Sequence, residues 1–379
     1  MSFLLIFSIF LFGSLAINII APIWPLYIKS LNASMVELGF VFGTSNGMAA
    51  ILQLVTGVLS DRYGRRRIHI VGTFLAIFPP LLYALATYWY DLIPGVILLG
   101  VATSLYTPVR WSIVSDISTS KNRARAYSRV NIAYYLGFII GPVLGGLVAD
   151  IYNMKIPLFL SSLFSAFCFI LVLRLRETRG SNTLTYVNED DAYKVAAFRK
   201  VIFWFSFMYL LEGAGLGILS PITPIFLQKR FSVDPTYIGI LFTVGYGIAP
   251  FLAQIPGGLL SDKFDKRKVI VIAYFIASPF YSLFAMSKNL WEPFIFLSIS
   301  YGLEAMVWSA HQSLRMNLTP SSRWGFVNAL SYTMFWGGMT LGNVLSGILW
   351  KTYGMYFPYY VSSIIILASS IAVLFLEKD

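Results

Sequence analysis

Twelve apolar runs follow one another along this chain of 379 residues, and they leave it few possible folds. They fall at about 4–28, 37–60, 67–88, 92–115, 128–150, 156–173, 201–227, 237–261, 268–287, 292–315, 325–350 and 355–376. Each is long enough to cross a hydrocarbon layer about 30 Å thick as a helix. Inside lipid every backbone N–H and C=O must bond within the protein, which allows only helices or a closed barrel. Barrel strands alternate in polarity and run about 10 residues, and these runs do neither. The chain is 57% hydrophobic and 12% charged, against about 25% charged in a soluble domain. The expected fold is therefore an all-α membrane protein with twelve transmembrane helices.

The N-terminal stretch "MSFLLIFSIFLFGSLAINIIAPIWPLYIK" lacks the basic start and small-residue cleavage site of a signal peptide, and reads as the first retained span. The single cysteine, Cys168, lies within span 6 as a buried thiol and excludes an intrachain disulfide. A net charge of +11 raises the question of nucleic acid, but its distribution answers it. With the N-terminus in the cytoplasm, 21 Lys and Arg fall on the cytoplasmic side and six on the other, Arg110 remaining inside a span. That is the positive-inside pattern, with both termini cytoplasmic, and no nucleic-acid partner is needed. His69, just beyond a basic loop, is expected at the interface.

Six spans precede the polar stretch "RETRGSNTLTYVNEDDAYKVAAFR" and six follow it. The organisation expected is a bundle over 1–175, a cytoplasmic linker over 176–199 with a short surface helix near Asp191 to Arg199, and a bundle over 200–379. The halves align at one offset of 199 to 201 residues: Pro22 with Pro221, Gly39 with Gly239, Gln53 with Gln254, Asp61 with Asp262. "GFIIGPVLGG" from Gly137 aligns with "GMTLGNVLSG" from Gly338. Two parallel six-helix repeats are a transporter plan.

The motifs sharpen this. "GVLSDRYGRRR", from Gly57 to Arg67, resembles the loop 2–3 signature of the major facilitator superfamily at every defining position. Gly137, Gly141, Pro142, Gly145 and Gly146 resemble the span 5 motif of that family's drug–proton antiporters. Ser128 stands where that motif usually starts with another glycine, and Val96 where the span 4 motif carries an arginine. The resemblance implies two pseudo-symmetric six-helix bundles and a gating loop. In that loop Arg62 or Arg65 pairs with Asp116 and Asp61 faces the start of a span 11 helix; Asp61 and Gly64 are signature positions that topology alone does not need. Asp262 marks the second copy, where Asn317 replaces Asp116 and Asp265 replaces Gly64, so that copy is expected to latch more weakly. Small residues in span 5 let backbones approach closely in lipid.

Ionisable groups inside spans are costly and mark functional sites by default. They are Arg110 in span 4, Glu212 in span 7, and Glu304 and His311 in span 10. Arg110 and His311 hold equivalent places in the two halves. Tyr301, Glu304, Trp308 and His311 recur on one helical face, as do Thr103, Thr107 and Arg110. Asn18 is a further cavity or helix-packing candidate. Arg110 is expected to approach a carboxylate, Glu304 being the first choice, with Glu304 or Glu212 carrying a proton.

No phosphate-binding loop, metal cluster or catalytic constellation occurs, so no cofactor, metal or enzymatic activity is expected. The function expected is secondary active transport by alternating access, with proton-coupled export of an amphipathic or aromatic small molecule. The alternative is a proton-linked carrier of a small organic anion, with Arg110 and His311 as the clamp. A transporter-like sensor would need an effector domain. The chain is expected to work as a monomer in the plasma membrane, surrounded by lipid. A single cysteine placed in the linker by Asn182→Cys should react with a membrane-impermeant thiol reagent from the cytoplasmic side only. Labelling from outside would overturn the orientation.

Overall fold

In the computed structural model the described residues are 3–117, 123–178, 192–319 and 324–375, and among them the structure is helical without strands. The first half holds α1 (Phe3–Asn18), α2 (Trp24–Ser30), α3 (Met35–Tyr63), α4 (Arg65–Leu75), α5 (Phe78–Leu85), α6 (Ile93–Ile117), α7 (Arg123–Ile151) and α8 (Lys155–Leu173). The second half holds α9 (Ala192–Leu219), α10 (Thr223–Phe231), α11 (Pro235–Phe242), α12 (Ala249–Lys263), α13 (Lys266–Ala285), α14 (Glu292–Asn317), α15 (Trp324–Tyr353) and α16 (Phe357–Val373). Among the described residues nine segments are long and apolar enough to cross a membrane, and α1 and α16 are shorter apolar helices. With the 30-residue α15 they follow the twelve spans in order.

The breaks have local causes. Span 1 bends between α1 and α2, where Pro22 and Pro25 flank the turn, and span 7 bends between α9 and α10 at Pro221 and Pro224. Proline removes an N–H and crowds the preceding turn, so paired prolines at one repeat offset produce the same bend twice. α3 starts at a capping box: the Ser34 hydroxyl accepts from Glu37 N–H, and the Glu37 carboxylate accepts from Ser34 N–H at 2.6 Å. It ends at Gly64, whose φ of +95° only glycine adopts without strain. The surface helix expected near Asp191 is instead the start of α9, which runs unbroken into span 7.

Two compact units result. One comprises Met1–Gly180 with Pro221–Ile248, the other Ser181–Ser220 with Ala249–Asp379. In the first, α1 packs on α7 and α8, while α3 and α4 pack on α6. In the second, α9 packs on α15 and α16, while α12 and α13 pack on α14. The same pairing scheme thus occurs in both units, as the duplicated sequence requires.

The span 5 glycines divide between two neighbours. Gly137, Gly141 and Gly145, four residues apart, face Ser14, Asn18 and Ile19 of span 1. Pro142 and Gly146 face Gly239 and Pro235, so α7 and α11 touch backbone to backbone within the first unit. Among the described residues Gly337 has open space around it. Gly145→Val should lower the unfolding temperature in detergent, because the added side chain meets the Ile19 backbone; overpacking of this kind costs about 1–3 kcal/mol. Gly337→Ala serves as the control, and equal melting of the two variants would refute the packing argument.

Candidate functional site

The charged loop of the first unit closes on its own helices. Arg65 forms an ion pair with Asp116 at the end of α6, and its Nη1 also donates to the Ser112 carbonyl at 3.0 Å. The Thr178 hydroxyl donates to the other Asp116 oxygen at 3.0 Å. Glu177 accepts from the Arg65 N–H at 3.0 Å and lies against Gly64, so its carboxylate sits at the positive N-terminal end of α4. Arg66 Nη2 donates to the Leu173 carbonyl at 2.9 Å. Spans 3, 4 and 6 are thereby tied together at one edge. Arg62 is exposed and stacks over Tyr63. The side chain of Asp61 lies outside the described residues, and so does its expected contact with the start of span 11.

In the equivalent loop of the second unit, Asp265 takes the part of the cap. Asp265 caps α13 by accepting from Arg267 N–H at 2.9 Å, and pairs with the Arg267 guanidinium at 3.1 Å. That side-chain hydrogen bond holds its carboxyl below the usual carboxylate value. Asp262 is exposed.

Arg110, on α6, is 6% exposed. Its guanidinium carbon lies over Phe10 and Tyr134 at 5.2 Å, and over Tyr106 and Trp111 at 5.8 Å. Among the described residues it has no hydrogen bond or ion pair, and its Nε is sealed without an acceptor. His69 is 2% exposed, buried among the helices of the first unit. Thr107 is half-buried one turn before Arg110. Asn18 is buried, its amide donating to Ser14 at 2.8 Å beneath Gly141.

The second unit holds a polar column on α9, α13 and α14. Glu304 accepts from the Tyr281 hydroxyl at 2.5 Å, and Tyr281 meets Tyr301 edge-on. Glu212 is 5% exposed, with one carboxylate oxygen unbonded; the Tyr274 hydroxyl is its neighbour without closing a geometric hydrogen bond. His311 is 1% exposed between the rings of Tyr274 and Tyr209, at 5.6 and 5.9 Å, with neither nitrogen bonded. Trp308 is 39% exposed and contacts Tyr332, so the stripe expected on span 10 is buried at His311 and open at Trp308.

Arg315 is the last residue of span 10. It lies on α14 at 2% exposure, donating to Gln312 and, at 3.3 Å, to Tyr209. Its place four residues after His311 continues the polar face, the signal by which the sequence could have identified it. Tyr209, Tyr274 and Tyr281 gave no such signal, since tyrosine is abundant in this chain, at 23 residues.

The profile of the Major Facilitator Superfamily matches residues 6–208 and 205–379, so the chain belongs to that family and is a membrane transporter of small molecules. It is 29% identical to "Tetracycline resistance protein, class H" of Pasteurella multocida over 76% of this chain and 74% of that one. It is 23% identical to "Multidrug resistance protein 2" of Bacillus subtilis over 99% of this chain and 95% of that one. Among solved structures the nucleoside transporter NupG shares the fold, with a TM-score of 0.80 at 14% identity, covering 99% of this chain and 100% of the other.

Asp116→Asn should destabilise the first unit by roughly 1–3 kcal/mol, between a surface pair and a buried one, because Arg65 loses its counter-charge. Asp262→Asn should change stability by less than about 0.5 kcal/mol. Thermal unfolding of both variants in detergent checks this, and equal shifts would contradict it.

Proposed function

We propose that this transporter exports amphipathic, aromatic molecules in exchange for protons by alternating access of the halves 1–175 and 200–379, joined by the linker 176–199. It works as a monomer in the cell membrane, with both termini cytoplasmic and no nucleic-acid partner. The observation that carries the reading is the pair of carboxyls in the second unit. Among the described residues neither Glu212 nor Glu304 makes an ion pair; hydroxyls and an imidazole surround them, and the buried Arg315 lies near enough to Glu212 for its charge to be felt. A carboxylate within a helix bundle without a direct counter-ion is costly, and adding a proton lowers that cost. Proton uptake therefore changes the stability of the column, which is what coupling a gradient to a conformational change requires. The resistance proteins to which the chain is similar support export as the direction.

One observation favours a second reading, a carrier of small organic anions that engages Arg110 of the first unit or His311 of the second. Both are buried, and neither has a hydrogen-bond or ion-pair partner among the described residues. The loop pair Arg65–Asp116, with Asp61, Arg62 and Gly64, acts in either case as the cytoplasmic gate.

The test is transport in proteoliposomes with an imposed pH gradient. Glu304→Gln should preserve substrate exchange but lose pH-driven accumulation, and Glu212→Gln should do the same if it carries the proton. Full accumulation in both variants would remove both acids from the coupling mechanism.

A further inference from the structure

Arg110 is a buried cation that its own unit does not neutralise. The helices packed around it offer little negative charge: α1 carries no ionisable side chain, α4 presents His69, and α8 presents Cys168. The acids on α6 and α7 are engaged elsewhere. Asp116 holds Arg65 and Thr178, and Asp150 accepts from Thr236 at 3.0 Å.

What surrounds the guanidinium instead is four ring faces. A cation–π contact is worth about 0.5–2 kcal/mol, whereas burying an ion costs several kcal/mol. Ring faces also supply no lone pairs. A guanidinium has five N–H donors arranged as a planar fork, and here they have no acceptor among the described residues. The rings hold the group in place and leave its hydrogen-bonding edge unused. The matching ligand is a planar oxyanion taken in bidentate fashion. An aromatic body attached to that oxyanion would add stacking on the same rings.

Polar side chains lead toward the group along its own helix. Thr103, Thr107 and Arg110 share one face of α6; the two threonines are half-buried and Arg110 is buried. The polar face thus runs from partly open surface to the guanidinium.

We propose that Arg110 and its ring cage form a carboxylate-binding subsite, so that the substrates of this transporter are aromatic or amphipathic molecules bearing an acidic group. The proposal rests on the transport reading above and narrows its substrate class. Arg110 then acts as the specificity-determining residue, supplying the fork while Phe10, Tyr106, Trp111 and Tyr134 fix its orientation.

Three probes sharing one ring system test it: 9-anthracenecarboxylate, 9-anthracenemethanol and 9-(aminomethyl)anthracene. Their binding is measured by fluorescence anisotropy with the purified full-length protein in detergent, without any gradient. The carboxylate should bind about tenfold or more tightly than the alcohol, the amine most weakly. Arg110→Met should abolish the carboxylate preference while changing alcohol binding less than about twofold, and Arg110→Lys should keep part of it, since a point charge replaces the fork. Equal binding of all three probes by the wild type, or binding of none, overturns the subsite; this comparison needs no variant to fold. Equal loss of all three on Arg110→Met also overturns it, by making the residue structural. Proton coupling is read separately. Carboxylate preference without pH-driven accumulation refutes the exchange mechanism alone, and accumulation without carboxylate preference refutes the subsite alone.

Discussion

The Ile19 backbone lies where a side chain at position 145 would have to go, and the rest of the architecture follows from contacts of that kind. Lipid gives apolar helices no hydrophobic reason to associate, so close approach of backbones and the dispersion it gains must do so. α1 and α7 meet through Gly137, Gly141 and Gly145. In the second unit Gly213 and Gly217 meet Phe335 and Met339, and Gly338 and Gly342 meet Leu210 and Ala214. These seams fix the rotation of α1 and α9 about their axes. With Gly213 turned onto α15, its neighbour Glu212 is turned away from that seam, beside Tyr274 of α13. The glycines thus aim the acid.

The two units use their rotationally fixed helices for different chemistry. α1 brings Phe10 against the Arg110 guanidinium, and α9 brings Tyr209 against His311 and Arg315. Phe10 and Tyr209 are 199 residues apart, within the repeat offset. An aromatic residue from the first helix of each half therefore abuts a basic residue on its fourth. In the first unit that basic group has only rings around it; in the second, carboxyls and hydroxyls share the column. On the proposed reading, exchange of a proton and binding of a charged substrate fall to separate helix groups, each with its own partners.

The twelve spans, the duplication and the paired proline bends could be read from sequence because each is written in hydropathy, in glycine and proline spacing, or in one constant offset. Arg110, Glu212, Glu304 and His311 could be read because charge inside an apolar run is conspicuous. Their partners could not. Which tyrosine reaches Glu304, or whether rings or an acid surround Arg110, depends on helix rotation set by glycine seams whose neighbours the sequence does not name. The burial of Arg315 and His69 against neighbouring helices is unwritten in the sequence for the same reason. Glu177 was hidden because it follows span 6 in what reads as linker, yet it closes back onto Gly64.

The loops that began as copies have diverged at one backbone position. Gly64, at φ +95°, turns the chain so that the N–H groups of Arg65 and Arg66 are presented to an acid from elsewhere, Glu177, and the Arg65 side chain reaches Asp116. Asp265 takes an ordinary φ of −55° and caps its own helix, and its carboxylate takes Arg267 from the same loop. The first arrangement joins the ends of three spans, so strain at that loop is transmitted to α6 and α8. The second joins residues two apart in sequence, at the start of α13. A gate working through these loops therefore acts on the first unit, where Asp116 lies six residues beyond Arg110 on the same rigid helix. Movement of the loop is then movement of the cage.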